Sequence, residues 1–342
     1  MTLPSHDAFL LLSFGGPEGM DDVIPFLENV LRGRDVPAAR LQEVAHHYEI
    51  FGGVSPLNAQ NRSLLASIEG EFAARGPRLP VYWGNRNWNP FLEDTLRLMA
   101  ADGVKRALGF VTSAYSSYSG CRQYREDIDR ARAAVGPSAP VVDKLRAFYN
   151  HPGFIEANAA GVRAAFAEIP DVVRGATALV FTAHSIPMAM AAGSRYEEQV
   201  RETARLVAEA VGRAEWSLAY QSRSGPPSQP WLGPDIGEHL RALRETGFRD
   251  VVVSPIGFVS DHMEVVYDLD IEARTVAKDL RINLVRATTA GIHPAFVSMI
   301  RELVLERTED APRRALGEMV LAPDECPAEC CPAPVRRPAA RA

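Results

Sequence analysis

Short apolar runs alternate with helical patterns along nearly the whole of this chain, and that alternation constrains its fold more than any other feature. AFLLLSF is followed by DDVIPFLENVL, LPVYWGNRNW by FLEDTLRLMAADG, and VKRALGFVTSAYS by GCRQYREDIDRARAAVG. The second half repeats the rhythm: ATALVFTAHSI precedes YEEQVRETARLVAEAVG, WSLAYQSRSG precedes PDIGEHLRALRETG, and DVVVSPIGFVSDH runs into an acidic segment. Strands separated by amphipathic helices make parallel sheets covered on both faces. The expected fold is therefore α/β, with two Rossmann-like doubly wound domains rather than one eight-stranded barrel. Residues 1–150 form the first domain and 151–310 the second, meeting near HPGFIEA at 151–157, with 311–342 as a cysteine-bearing extension.

The bulk properties narrow the function. At 342 residues, with 46% hydrophobic and 23% charged residues, the chain has ordinary globular usage. A net charge of −6 and the lack of a long basic run argue against nucleic acid as a partner and against charge-driven binding to anionic membranes. AFLLLSF lacks a preceding basic region and a small-residue cleavage site, so it reads as a buried strand and not a signal peptide. No stretch of roughly 18 residues is apolar enough throughout to read as a membrane span. A cytoplasmic protein acting on small molecules is the expectation, with peripheral membrane contact as the remaining membrane option.

Ligands of doubly wound sheets sit beyond the C-terminal ends of the strands. Neither the dinucleotide G-x-G-x-x-G pattern nor the Walker GxxxxGK[ST] pattern is present. His184 ends the strand ALVFTAH, where a core or capping role competes with a catalytic one. Asp261, His262 and Glu264 are expected to stand at the end of another strand. If a helix begins near Met263, then Glu264, Asp268 and Glu272 recur every four residues as one acidic stripe. Such a stripe is often only a solvated face. Beside a histidine at a strand end, it reads better as a site for a divalent metal or for proton transfer. HExxH is absent, so a transient metal site is preferred to a tight one.

Cysteines form a second constellation. Cys326, Cys330 and Cys331 lie in ECPAECCPAPVRRP, and Cys121 lies in the body of the chain. Four cysteines in a chain of this kind are more often metal ligands or free thiols than disulfides. Four thiolates can hold an iron–sulfur cluster, with zinc as the alternative.

Across residues 7–310 the chain resembles the ferrochelatases. The resemblance is carried by LLLSFGGPEGMDDVIPFLENVLRG, HYEIFGGVSPLNAQN, VYWGNRNWNP, LVFTAHSIP, YQSRSGPPSQPWLGP and SPIGFVSDHMEVVYDLDIE, in that order. It implies the class II chelatase fold and insertion of ferrous iron into a porphyrin held in a cleft. It also implies that His184 faces Glu264 across the porphyrin centre, that the pair binds iron and removes the pyrrole protons, and that His262 orients Glu264. Asp268 and Glu272 match a line of acids that carries metal or protons. Phe14, Arg32, Arg34, Arg40, Ser55, Tyr124 and Trp231 match positions that contact the porphyrin or border its cleft. Cluster-bearing relatives use one body cysteine and three C-terminal ones, so a [2Fe–2S] cluster on Cys121, Cys326, Cys330 and Cys331 is expected.

Three departures from the family pattern stand out. After HSIP the chain reads MAMAAGSRY instead of glycine followed by Asp, Pro or Cys. Phe14 supplies no axial ligand to product iron, and the tail cysteines are spaced differently. Rival expectations are a cobalt or nickel chelatase acting on another tetrapyrrole, or a non-catalytic haem or metal carrier on the same fold. Coproporphyrin III and protoporphyrin IX are not distinguished by these motifs.

Overall fold

The computed structural model describes residues 6–33, 37–225 and 228–333. Among them, two four-stranded sheets carry the fold. The first contains β1 (Ala8–Ser13), β2 (Val81–Asn85), β3 (Arg106–Val111) and β4 (Val141–Lys144) in the order β2-β1-β3-β4. The second contains β5 (Ala178–His184), β6 (Ser217–Gln221), β7 (Asp250–Ser254) and β8 (Asn283–Arg286) in the order β6-β5-β7-β8. All pairings are parallel. Because both faces of such a sheet are covered, its central strands are apolar throughout. In β1, Phe9 and Leu11 enter one core while Leu10 and Leu12 enter another.

Helices α1 (Met20–Leu31), α2 (Ala38–Glu49), α3 (Leu57–Arg75), α4 (Leu92–Ala101) and α5 (Gln123–Val135) accompany the first sheet. Next come α6 (Pro152–Ala167) and the short α7 (Asp171–Arg174). The second sheet is joined by α8 (Met188–Ala192), α9 (Tyr196–Ala210), α10 (Ile236–Glu245), α11 (Met263–Tyr267), α12 (Arg274–Asp279) and α13 (Pro294–Thr308). HPGFIEA is the start of α6: His151 caps it by accepting the N–H of Gly153 at 3.1 Å, and Phe154 is fully buried. A side chain at Gly153 would strike the carbonyl of Ala295, so this glycine lets α6 lie directly on α13. α13 also packs on α3, and one apolar core that includes Phe9, Phe110, Phe148, Phe181 and Phe296 runs through both halves. Each of those buried rings contributes about 1.5–3 kcal/mol. Among the described residues, no helix is long and apolar enough to cross a membrane.

The strand order places the site. In each sheet the chain first steps one way and then the other, so the direction reverses between β1 and β3 and again between β5 and β7. A crevice opens at such a switch point, beyond the strand ends. His184 is the last residue of β5. One expectation is corrected here: β7 ends at Ser254, so Asp261 and His262 do not stand at its end. Residues 255–261 fold back instead. Gly257 packs so closely on β5 that a Cβ there would lie 2.5 Å from the Cα of Ala183. That return delivers His262 and Glu264 to the crevice beside His184.

Candidate active site

His184 has an acceptor at each ring nitrogen. Nδ1 donates to the carbonyl of Ser185, and Nε2 lies 3.3 Å from Oε1 of Glu264. With two acceptors as partners, both nitrogens carry protons in the resting pair. Burial alone would lower the pKa of His184, but the Glu264 carboxylate outweighs it and raises the value to about 9. Burial would likewise raise Glu264, yet the imidazolium holds it at about 2. The side chains are nevertheless 28% and 49% exposed, so the pair lines open surface and water screens the coupling.

The expectation that His184 and Glu264 face each other across a porphyrin is overturned. A 3.3 Å contact leaves no space for a macrocycle between them. They form one wall, because β5 and β7 are neighbours and the loop after β7 returns over β5.

α11 begins at Met263, and His262 is its extended N-cap. Nδ1 of His262 accepts the N–H of Glu264 at 3.2 Å, which makes Nδ1 the unprotonated nitrogen. Burial, with Glu264 opposing, lowers the pKa of His262 and keeps the ring neutral. The side chain of Gln221, at the end of β6, donates to the carbonyl of Glu264. The backbone of Glu264 is thus held from both sides.

Beyond Tyr267 the helix changes pitch: Asp268–Ala273 form a π turn before α12 resumes. In an α-helix a residue four positions on overshoots a full turn, whereas in the wider π turn it undershoots. The two offsets oppose each other and keep Glu264, Asp268 and Glu272 close to one line. Burial, aided by the carboxylates of Glu264 and Glu272 and opposed by the Ser222 hydroxyl that donates to it, raises Asp268 to about 7. Ser222 holds that contact from a left-handed backbone (φ 63°), a conformation that costs a non-glycine residue energy. Glu272 is also raised, by burial and then by Asp235.

α1 and α2 close against this wall from the first half. Phe26 and Tyr48 pack with Met263, and His47 stacks on Tyr267 at 3.9 Å. The Tyr48 phenol is pushed up by burial and then by Glu264. Phe14, just after β1, is 37% exposed and meets Phe26 edge-on at 6.2 Å. Ser55 is buried on the same turn, its N–H bonded to the carbonyl of Pro17. Tyr124 is buried behind Arg86, whose guanidinium covers both Tyr124 (4.7 Å) and Phe14 (5.6 Å) and pairs with Asp127 at 2.6 Å. Arg32 bonds Asn29 and Arg40 pairs with Glu43 at 2.6 Å, while Arg34 lies outside the described residues. Trp231 bridges Pro187, three residues after His184. The pattern of single residues missed Tyr48, Arg86, Gln221 and Ser222. The last two sit in YQSRSG at a strand end, which could have drawn attention to them; the Arg86–Asp127 pairing has no local sequence signal.

The four cysteines gather beside β4, the edge strand of the first sheet. The thiol of Cys121, in the π turn Tyr118–Arg122, is hydrogen-bonded with Cys326 and Cys331, and the sulfurs of Cys330 and Cys331 are 3.5 Å apart. Those two hydrogen bonds, opposed by burial and helped by Lys144, lower Cys121, while Cys326 and Cys331 are raised. All four are free cysteines, and no disulfide is present among the described residues. Among these residues, no group of three or more His, Cys, Asp or Glu side chains has the spacing of a ready metal site.

Comparison with known proteins adds three findings. The family model for ferrochelatase matches residues 6–308. A ferrochelatase of Rhodopirellula baltica is 55% identical over 98% of this chain and 96% of its own length, and a coproporphyrin III ferrochelatase of Nocardia farcinica is 53% identical over 98% of each. Among solved structures, SirB from Bacillus subtilis with Fe3+ aligns with a TM-score of 0.53 over 88% of this chain and 97% of its own, at 15% identity, which speaks to the fold alone.

Proposed function

This chain belongs to the ferrochelatase family, and on that premise we propose that His184 and Glu264 form the wall at which it inserts ferrous iron into coproporphyrin III. Insertion of iron into a porphyrin, a step of haem biosynthesis, is the activity of this chelatase. The observation that carries the site is the 3.3 Å pair of His184 and Glu264 at the switch point of the second sheet.

Metallation exchanges two pyrrole protons for one dication, so the site must receive protons and neutralise positive charge. The resting pair is neutral overall, with its proton on His184. Once Nε2 loses that proton, its lone pair points to where Glu264 lies, while Nδ1–H stays anchored on Ser185, the arrangement of a metal-ligating imidazole. Glu264 supplies the adjacent negative charge. Asp268, at about 7, is half-protonated near neutrality and accepts or passes protons along the line toward Glu272. His262 works through its cap on the Glu264 backbone. Phe14, pinned by Arg86, and Ser55 offer the opposing surface, with Tyr124 acting through Arg86. Arg32, Arg40 and Trp231 border the ring.

Coproporphyrin III is preferred because relatives at 51–53% identity carry that name. We infer a [2Fe–2S] cluster from the donor set: one body and three tail cysteines supply four sulfurs, with Cys121 beside Cys326 and Cys331 and with Cys330 and Cys331 3.5 Å apart. When bound, such a group would supply one-electron redox capacity, and Lys144 beside Cys121 would offset its negative charge.

The test is anaerobic mixing of the protein with ferrous iron and each porphyrin, followed by loss of free-porphyrin fluorescence. Coproporphyrin III should react faster than protoporphyrin IX, and Glu264→Gln should lose at least roughly 100-fold in rate. Undiminished turnover in that variant would sink the site assignment. A faster rate with protoporphyrin IX would overturn the substrate, and a colourless, zinc-containing preparation the cluster.

A further inference from the structure

Tyr196, which no part of the proposed chemistry uses, makes a single polar contact of consequence. Its hydroxyl donates to the backbone carbonyl of His184 at 2.9 Å, from a side chain that is 6% exposed. Residues 184–196 are thus closed into a loop whose first residue is the proposed iron ligand. Two further contacts fall on the segment around Tyr196. Three residues on, along the same helical face, buried Gln199 receives the N–H of Ser116 at 2.7 Å and donates to the Ser116 hydroxyl at 3.0 Å. Tyr115, the neighbour of Ser116, meets the Tyr196 ring edge-on at 5.9 Å and bonds the carbonyl of Ile256 at 2.7 Å. Ser116 and Tyr115 lie two and three residues before the π turn that bears Cys121. Three residues before Tyr196, Gly193 touches the tail: a Cβ there would lie 3.2 Å from Cγ of Pro332, the residue after Cys331.

The chain segments that carry Cys121 and Cys331 therefore meet residues 193–199 from two sides, through Ser116 and through Pro332. Arg122 and Arg125 bond the carbonyls of Cys330 and Cys326 at 3.4 Å and hold the tail to the same region. We propose that Tyr196 is a positioning residue for His184, and that assembly of the four-cysteine centre sets the orientation of His184 through the segment carrying Tyr196. This rests on His184 as the iron ligand, and it adds a reason for the cysteine centre to affect a site on the other sheet without lying in it.

The experiment compares cluster-loaded wild type, Tyr196→Phe, Cys326→Ser, Pro332→Gly, and Tyr196→Phe combined with each of the last two. Each is titrated with Co2+ in the absence of porphyrin, read by the d–d absorption of nitrogen- and oxygen-ligated cobalt, and assayed for metallation. Tyr196→Phe keeps the buried ring and removes one hydrogen bond. It should keep full visible cluster absorption and an unchanged KM for porphyrin, while Co2+ affinity falls roughly two- to ten-fold and KM for iron rises in step. Pro332→Gly should keep its cysteines and its cluster absorption yet move the same parameters in the same direction, as should Cys326→Ser, which loses the absorption. Neither change should add to Tyr196→Phe, because all act through one segment. Unchanged Co2+ affinity in Tyr196→Phe, or effects that multiply in the double variants, would overturn the proposal. A wild type that binds Co2+ but metallates no porphyrin would count against the activity alone, and the cobalt titrations would still decide the positioning role.

Discussion

Replacing Glu264 by Gln keeps the side chain's size and removes one charge from the wall of the crevice. In the parent, His184 is raised from 6.5 to about 9, which at 1.36 kcal/mol per pKa unit corresponds to a gross coupling on the order of 3 kcal/mol. Glu264 is 49% exposed, so screening reduces the usable coupling to about 1–2 kcal/mol. The glutamine variant should therefore bring the His184 pKa down by at least about one unit, because burial continues to oppose protonation while only Asp268 and the Ser185 carbonyl still favour it. The assay is NMR of ring-labelled histidine across pH 5 to 10. The stability consequence has a definite sign. A pKa raised in the folded state stabilises fully below 6.5 and ceases to as pH rises through about 9. A lowered Glu264 stabilises above 4.5 and ceases to as pH falls toward 2. These are two descriptions of one pair, so its full contribution spans pH 4.5 to 6.5, and melting profiles of Glu264→Gln should be flatter on both sides. A His184 that still titrates near 9 in the variant would refute the electrostatic account of the pair.

Three other outcomes can be checked. Arg146 and Glu306 are 1% and 3% exposed and joined by two 2.7 Å bonds, so Glu306→Gln should cost about 3–5 kcal/mol in urea unfolding by leaving a buried guanidinium unpaired. His151 is fully buried and lowered to about 3 by burial and then by Arg146 and Arg314; the nearby Glu302 is already paired with Arg314 at 2.8 Å. The unfolded chain thus takes that proton first, so stability is full above pH 6.5 and declines as pH drops toward 3, a slope that His151→Gln should reduce in thermal melts. Gly257→Ala places a methyl 2.5 Å from the Cα of Ala183, next to His184, and should cost about 1–3 kcal/mol while lowering kcat; an unchanged rate would show that the return of residues 255–261 does not position the wall.

What the sequence determined by itself is local. Alternating apolar runs and amphipathic helices identified parallel α/β sheets, because strand and helix periodicities are written within each segment. The end of β5 at His184, the helix beginning at Met263 and the four-thiol inventory were legible for the same reason. Tertiary structure decided everything that depends on which strands become neighbours. Only the adjacency of β5 and β7 puts His184 and Glu264 on one wall at 3.3 Å instead of on opposite faces of a ring. Only the π turn after Tyr267 keeps the acids in line, since hydrogen-bond slippage by one residue leaves no mark in residue spacing. The joining of Cys121 to a tail two hundred residues away, and of Tyr196 to His184, is likewise non-local. Such contacts are chosen by strand order and helix packing, energies shared over the whole core, and no single stretch of sequence contains them.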